Sequence, residues 1–332
     1  MTKQAPRIVS VGGGKGGVGK SVIAANIGVA MAQEGARVVI VDADLGAANQ
    51  HTLFGIDRPG VTLQGLLNHE IDHLEQARMP TMVKGLSVIP GSGAVVGAAN
   101  VNHGQKQRLM NEIRRLDADV VVIDVGAGVS YNVLDLFEVA DVRLVVSTPQ
   151  LTAVQNAYSF LKGAVHRTLR ETAKTFGAVE LFDAEIGKHD TDRVSQWVGQ
   201  TQKMLPALAA AFAAQLDCFG VRLIGNQIFA PGEARVLKAV GRMAEDFLQL
   251  RAPVLGTFKA SRAIHDSVSR RRPFLVDAVN EDAAITFRQI GMSVLTEDIA
   301  FLRSGRKPVA PGPGASVPPP AIAPVQLQQV AA

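Results

Sequence analysis

Val9-Ser10-Val11-Gly12-Gly13-Gly14-Lys15-Gly16-Gly17-Val18-Gly19-Lys20-Ser21-Val22-Ile23 is the stretch on which the reading of this chain turns. It passes from a short apolar run, Ile8–Val11, through a glycine-rich loop into a segment of helical period. Within it, Gly14 to Ser21 fits G-x-x-x-x-G-K-[ST], placed between strand and helix as a phosphate loop requires. Glycines let successive backbone N–H groups turn inward onto phosphate oxygens, and the helix N-terminus adds its dipole. Gly14, Gly16, Gly17, Val18 and Gly19 are the expected cradle, with Lys20 reaching the β- and γ-phosphates and the Ser21 hydroxyl on Mg²⁺. A second pattern overlaps the first. Gly12-x-Gly14-x-x-Gly17, with Asp42 at the end of the next strand as a ribose acid, satisfies a dinucleotide fingerprint. That triplet is the weaker signal, because a dinucleotide loop has no need of the Gly-Lys-Ser that follows.

Outward from the loop, short apolar runs alternate with segments of helical period. Ile8–Val11, Val38–Val41, Leu86–Ile89, Val120–Ile123, Leu144–Ser147, Val221–Ile224 and Val254–Phe258 read as strands. Helices are expected over 20–33, 103–115, 132–139, 151–173, 196–216, 232–249 and 281–303. Such alternation implies crossover connections and an α/β fold, a mostly parallel sheet with helices on both faces. The composition agrees, with 47% hydrophobic but only 5% aromatic residues, so the core is one of Ala, Val, Ile and Leu. One ATPase domain is expected over 1–303, with a charged surface insertion near 174–195. Seven of the 16 prolines fall in 308–324, so 304–332 reads as a disordered tail rich in proline and alanine.

Charge and cysteine usage exclude several classes. A net charge of +4 on 332 residues is too small to imply a polyanion partner by itself. A single cysteine, Cys218, leaves no disulfide framework and no cysteine-only metal site within one chain. The seven histidines show no metal-ligand spacing. With no leader-like segment at Met1–Pro6 and no apolar run of spanning length, the expected compartment is the cytoplasm.

Two acids complete the candidate site. Asp124 follows the run Val120–Ile123, where a metal-holding carboxylate of a P-loop protein belongs. Asp44 heads Asp44-Leu45-Gly46-Ala47-Ala48-Asn49 after the second strand, positioned to hold an attacking water or the metal shell.

These residues resemble the MinD/ParA family. Lys15 within Lys15-Gly16-Gly17-Val18-Gly19-Lys20-Ser21 looks like the signature lysine of that family's deviant loop. The resemblance implies that Lys15 crosses a dimer interface to the partner's phosphates and compensates charge in the transition state. It also implies an ATP-bound homodimer, slow ATP hydrolysis stimulated by a partner protein, and ATP with Mg²⁺ as ligands. Val41–Asn49 is similar to the family's switch I, with Asp44 as catalytic aspartate. Asp124-Val125-Gly126-Ala127-Gly128 is similar to switch II, where the Gly128 amide would meet the γ-phosphate. Gly126 stands where proline is commoner, a form similar to the branch that includes the flagellar-number regulator FlhG. By resemblance, Asn226 reads the adenine edge, while Ser261 stands where an aspartate is expected.

The resemblance leaves the biology open between a MinD/FlhG-like switch for placement or number and ParA-like binding of non-specific DNA. Arg270-Arg271-Arg272 with Lys259 and Arg262 could contact phosphates in the second case. Membrane recruitment by a closing basic amphipathic helix is not expected. Lone Cys218 argues against an iron–sulfur carrier, and Lys15 against a metabolic ligase on the same fold.

Overall fold

The computed structural model describes residues 5–91, 101–188, 193–278 and 280–296. Its centre is an eight-stranded sheet in the order β3-β4-β2-β5-β1-β6-β7-β8. The strands are β1 (Arg7–Gly12), β2 (Val38–Ala43), β3 (Met79–Pro80), β4 (Leu86–Ile89), β5 (Val120–Val125), β6 (Val142–Ser147), β7 (Val221–Ile228) and β8 (Val254–Lys259). All neighbours pair in parallel except β3 with β4.

The continuous apolar strands are explained by burial on both faces. Val39, Val41, Val121 and Ile123 enter one core, while Val38, Ile40, Val120 and Val122 enter the other. The first core is roofed by α4 (His103–Arg115), α5 (Tyr131–Glu138) and α6 (Leu151–Thr175). The second lies under α1 (Lys20–Gln33) and α13 (Asp282–Thr296). Each fully buried Val or Ile contributes roughly 1.5–3 kcal/mol, so sheet packing dominates stability.

Several expectations change in detail. The helix expected over 196–216 is two, α8 (Val194–Met204) and α9 (Pro206–Asp217). Leu205 between them has φ −140° and ψ 78°, because the proline ring disfavours the helical region at the residue before it. Within 174–195, Val179–Lys188 forms α7, and Phe182 packs edge-on against Trp197 and Phe212. That part of the stretch therefore belongs to the first core rather than to a surface insertion. Residues 189–192, the tail 304–332 and the end of the last expected helix lie outside the described residues. Four short helices went unforeseen: α2 (Gln50–Leu53), α3 (Leu63–Leu67), α11 (Arg262–Ser269) and α12 (Phe274–Asp277). The remaining helix, α10 (Ala234–Leu248), lies beside β7 and β8. Among the described residues no helix is long and apolar enough to cross a membrane.

Candidate nucleotide site

Register brings the site together. Val11 of β1 and Asp42 of β2 are both abreast of Asp124 on β5, at the carboxyl edge of the sheet. The loop leaving β1 crosses above this edge and enters α1 at Gly19, whose φ of 94° is left-handed and suits glycine alone. Gly14 is equally constrained: a Cβ there would lie 2.0 Å from the Asn156 carbonyl oxygen on α6. The loop can run this close to α6 because it carries no side chain there.

The two lysines of the loop go different ways. Lys20 is buried, its Nζ donating to the Lys15 carbonyl at 3.3 Å. Burial lowers its pKa, while Asp124 and Asp44 oppose the fall. The Lys15 ammonium leaves the cradle and donates to the Thr152 hydroxyl at 3.0 Å. Beside the loop opens a cavity of about 750 Å³, lined among others by Gly16, Gly17, Gly19, Lys20, Ser21, Asp44, Asn49, Asn226, Phe229 and Ser261. Val18 is buried beneath the loop, and Gly128 closes the Asp124–Gly128 segment with φ 99°, again left-handed.

Asp44 reaches the cavity wall with Oδ1 accepting the amides of Gly46 and Ala47 at 3.3 and 3.0 Å. Gly126 is close behind it; a Cβ on that glycine would approach Asp44 Oδ1 to 3.3 Å. Asn226 does not extend freely toward a base. Its Nδ2 donates to the Val18 carbonyl at 2.9 Å, so it clamps β7 to the phosphate loop while one face lines the cavity. Ser261 caps α11 by accepting from Ile264 N at 3.4 Å.

Asp42 is fully buried and takes three backbone donors, from Asp44, Asn49 and Gln50. A ribose could not reach it. The dinucleotide alternative is thereby removed, and Asp42 instead holds the shape of the segment after β2. Asp124 is also buried, with Oδ2 accepting from Gln50 Nε2 at 2.8 Å. Its Oδ1 is buried and makes no well-formed hydrogen bond, although the Ser21 hydroxyl lies near enough to favour the carboxylate. Burial pushes both carboxyls above the ordinary range; the charge of Asp124 adds to the rise at Asp42, and Gln50 and Lys20 counter it at Asp124. A buried carboxylate oxygen with no well-formed hydrogen bond, near the hydroxyl of Ser21 in the first turn of α1, fits a hydrated divalent cation. Among the described residues no group of three or more His, Cys, Asp or Glu could hold a metal unaided. A cation here would draw most of its ligands from phosphate, water and Ser21, as Mg²⁺ does.

Sequence reasoning placed Lys15, Lys20, Ser21, Asp44, Asp124, Gly128 and Asn226 around one edge of the sheet, and the structure brings them there. It missed Gln50, which is fully buried between Asp124 and Ser21, donating also to the Ser21 carbonyl at 3.0 Å. Nothing in its sequence setting distinguishes it from a surface glutamine.

A parallel sheet with a glycine-rich loop, a buried lysine and a strand-end acid at one carboxyl edge defines a P-loop NTPase. A model described as "ParA: NUBPL iron-transfer P-loop NTPase" matches residues 4–206, more than half of the chain. The chain belongs to the ParA family of P-loop NTPases. The iron-transfer wording describes that model, and Cys218 lies outside the matched stretch. The antiactivator FleN of Pseudomonas aeruginosa is 30% identical over 157 residues, 47% of this chain and 55% of that protein. The septum site-determining protein MinD of Thermotoga maritima is 30% identical over 151 residues, 45% of this chain and 55% of that protein. The chain thus spans about half the length of the curated relatives it matches. The structure of MinD from Pyrococcus horikoshii, complexed with Mg-ADP, superposes with a TM-score of 0.60 at 18% identity. That likeness covers 88% of this chain and 96% of that one, and it establishes a shared fold.

Proposed function

We propose that this protein is a MinD/FleN-like ATP-dependent switch that dimerises on ATP and controls the placement or number of a cellular structure. The observation that carries the reading is the divergence of the two loop lysines. Lys20 is buried within its own cradle, whereas Lys15 is held outside it on Thr152. A lysine serving only its own site would have no reason to leave that site. One directed outward can serve a facing copy.

In this reading the loop amides and Lys20 hold the β- and γ-phosphates of ATP. Ser21 and Asp124 hold Mg²⁺, which when bound neutralises phosphate charge as a Lewis acid. Asp44 orients the attacking water, and its present turn against Gly46 and Ala47 leaves it at the cavity wall. The Gly128 amide orders switch II against the γ-phosphate, and Lys15 moves from Thr152 to the partner's phosphates. A partner protein then stimulates hydrolysis and the dimer separates.

The test is molecular mass by light scattering with ADP and with ATP, in an Asp44→Ala variant that binds but does not hydrolyse. An ATP-only dimer that disappears on adding Lys15→Ala supports the switch. A mass indifferent to nucleotide sinks it and leaves only a nucleotide-binding P-loop. Retention of the ATP state on non-specific DNA would redirect the reading to ParA-like partitioning. Four of the five cations that such binding would use are already paired, Lys259 with Asp282, Arg262 with Asp266, Arg271 with Asp57 and Arg272 with Asp277.

A further inference from the structure

Gln50 begins α2, immediately after the segment that carries Asp44. Its backbone N–H donates to Asp42 Oδ2 at 2.8 Å, which fixes where the side chain starts. Its side chain is fully buried and its Nε2 donates twice, to Asp124 Oδ2 at 2.8 Å and to the Ser21 carbonyl at 3.0 Å. Both partners are pure acceptors, so the amide can sit only with nitrogen toward them. Chemistry therefore fixes the orientation of the amide. One consequence is that Gln50 Oε1 is turned away from both partners, and it is buried without any donor. Asp124 Oδ1 is likewise buried without a well-formed hydrogen bond, although the Ser21 hydroxyl lies near its carboxyl.

Two buried acceptor oxygens without well-formed hydrogen bonds, on side chains hydrogen-bonded to each other, are costly if nothing completes them. A hydrated divalent cation beside Ser21 brings several water O–H donors at once. We propose that Gln50 is a positioning residue for that cation. Its Nε2 ties up Asp124 Oδ2, so Oδ1 alone faces the metal's hydration shell, and its Oε1 accepts from the same shell. Because Gln50 is anchored through Asp42 to the end of the Asp44 segment, it also links that segment to the metal-holding carboxylate. Reshaping residues 44–49 would withdraw the amide from Asp124, and loading the metal site would favour the arrangement in which Asp44 is held at the cavity wall.

This inference rests on the Mg²⁺–nucleotide reading above, and the experiment separates the two. A fluorescent ADP analogue is titrated into wild type and Gln50→Met, with Mg²⁺ varied and with EDTA. Methionine keeps the length and loses both the donor and the acceptor. Partners of metal ligands typically change metal affinity by about 10- to 100-fold. The expected result is a Mg²⁺ midpoint raised about tenfold or more, with affinity in EDTA changed less than about twofold. Equal losses with and without Mg²⁺ would make Gln50 a structural residue only, and no change in either would also overturn the proposal. A wild type whose affinity ignores Mg²⁺ would overturn the metal reading itself. Should Gln50→Met not fold, the ¹⁵N-labelled wild type decides. The Gln50 side-chain amide signal should shift with Mg-ADP and not with ADP in EDTA; a signal indifferent to Mg²⁺ refutes the positioning role.

Discussion

Two buried charge clusters flank the same sheet and differ in kind. At the carboxyl edge, Asp42 and Asp124 are sealed side by side, with Lys20 nearby and acceptor oxygens left over. Between α4, α5 and α6, Asp135 is held from two sides, by Lys106 and by Arg167, which also reaches Glu171 at 2.9 Å. The second cluster satisfies its acid with the chain's own cations. The first is incomplete without donors and positive charge from outside. Buried charge alone therefore does not mark a site in this protein, nor does one undonated oxygen, since Glu138 Oε1 beside Asp135 is another; paired buried acids with too little positive charge do.

The largest effect should come from breaking the balanced cluster. Asp135→Ala leaves buried Lys106 without its carboxylate and Arg167 with Glu171 alone, which should cost about 3–5 kcal/mol in urea unfolding with nucleotide affinity unchanged. A loss of nucleotide binding in a folded variant would erase the distinction drawn between the clusters.

Glu138, at the edge of the balanced cluster, has its carboxyl pushed up to about 8, first by burial and further by Asp135. A raised acid contributes stability that is full below its unfolded pKa near 4.5 and is lost as pH climbs through about 8. Glu138→Gln should therefore resemble wild type near pH 4 and exceed it at pH 9 by several kcal/mol. Urea midpoints at the two pH values check this; a gap that shrinks with rising pH would refute it.

Asp124→Asn should trade function for stability. It keeps an acceptor for Gln50 and removes one of two crowded buried charges. The nucleotide-free protein should gain about 1–2 kcal/mol at pH 8, less at pH 5, while Mg²⁺-dependent nucleotide affinity disappears. Thermal melting with and without Mg-ADP reads both arms.

The smallest effect is expected at Gly126→Ala. A Cβ at 3.3 Å from Asp44 Oδ1 asks for a shift of a few tenths of an ångström. Destabilisation should stay below about 1 kcal/mol, and an ADP titration should move by less than threefold. A large loss would mean that the Asp44 turn is rigid rather than adjustable.

What the sequence could and could not disclose follows from the range of each interaction. The phosphate loop, the strands and the strand-end acids are local patterns, and they were legible as such. The break at Leu205 was also written locally, in Pro206, yet the strong helical period on both sides overrode it in reading. Gln50 and the Lys106–Asp135 pair were hidden for a different reason. Their partners lie 74 and 29 residues away in sequence, and nothing local specifies either meeting. Asp42 was visible only as the ribose acid of the weaker alternative, because position at a strand end does not tell a buried brace from a ligand contact. Asn226 lines the cavity, while its bond to Val18 depends on how β7 packs against the loop.

The two-residue strand β3 has a consequence for assembly. It runs antiparallel along β4, and its second residue is Pro80. Proline offers no amide hydrogen, so this border of the sheet ends in a blunt hem that another chain cannot easily extend. Strand-by-strand growth into a continuous ribbon is discouraged along that side, and a second copy seeking contact is left to approach by some other surface.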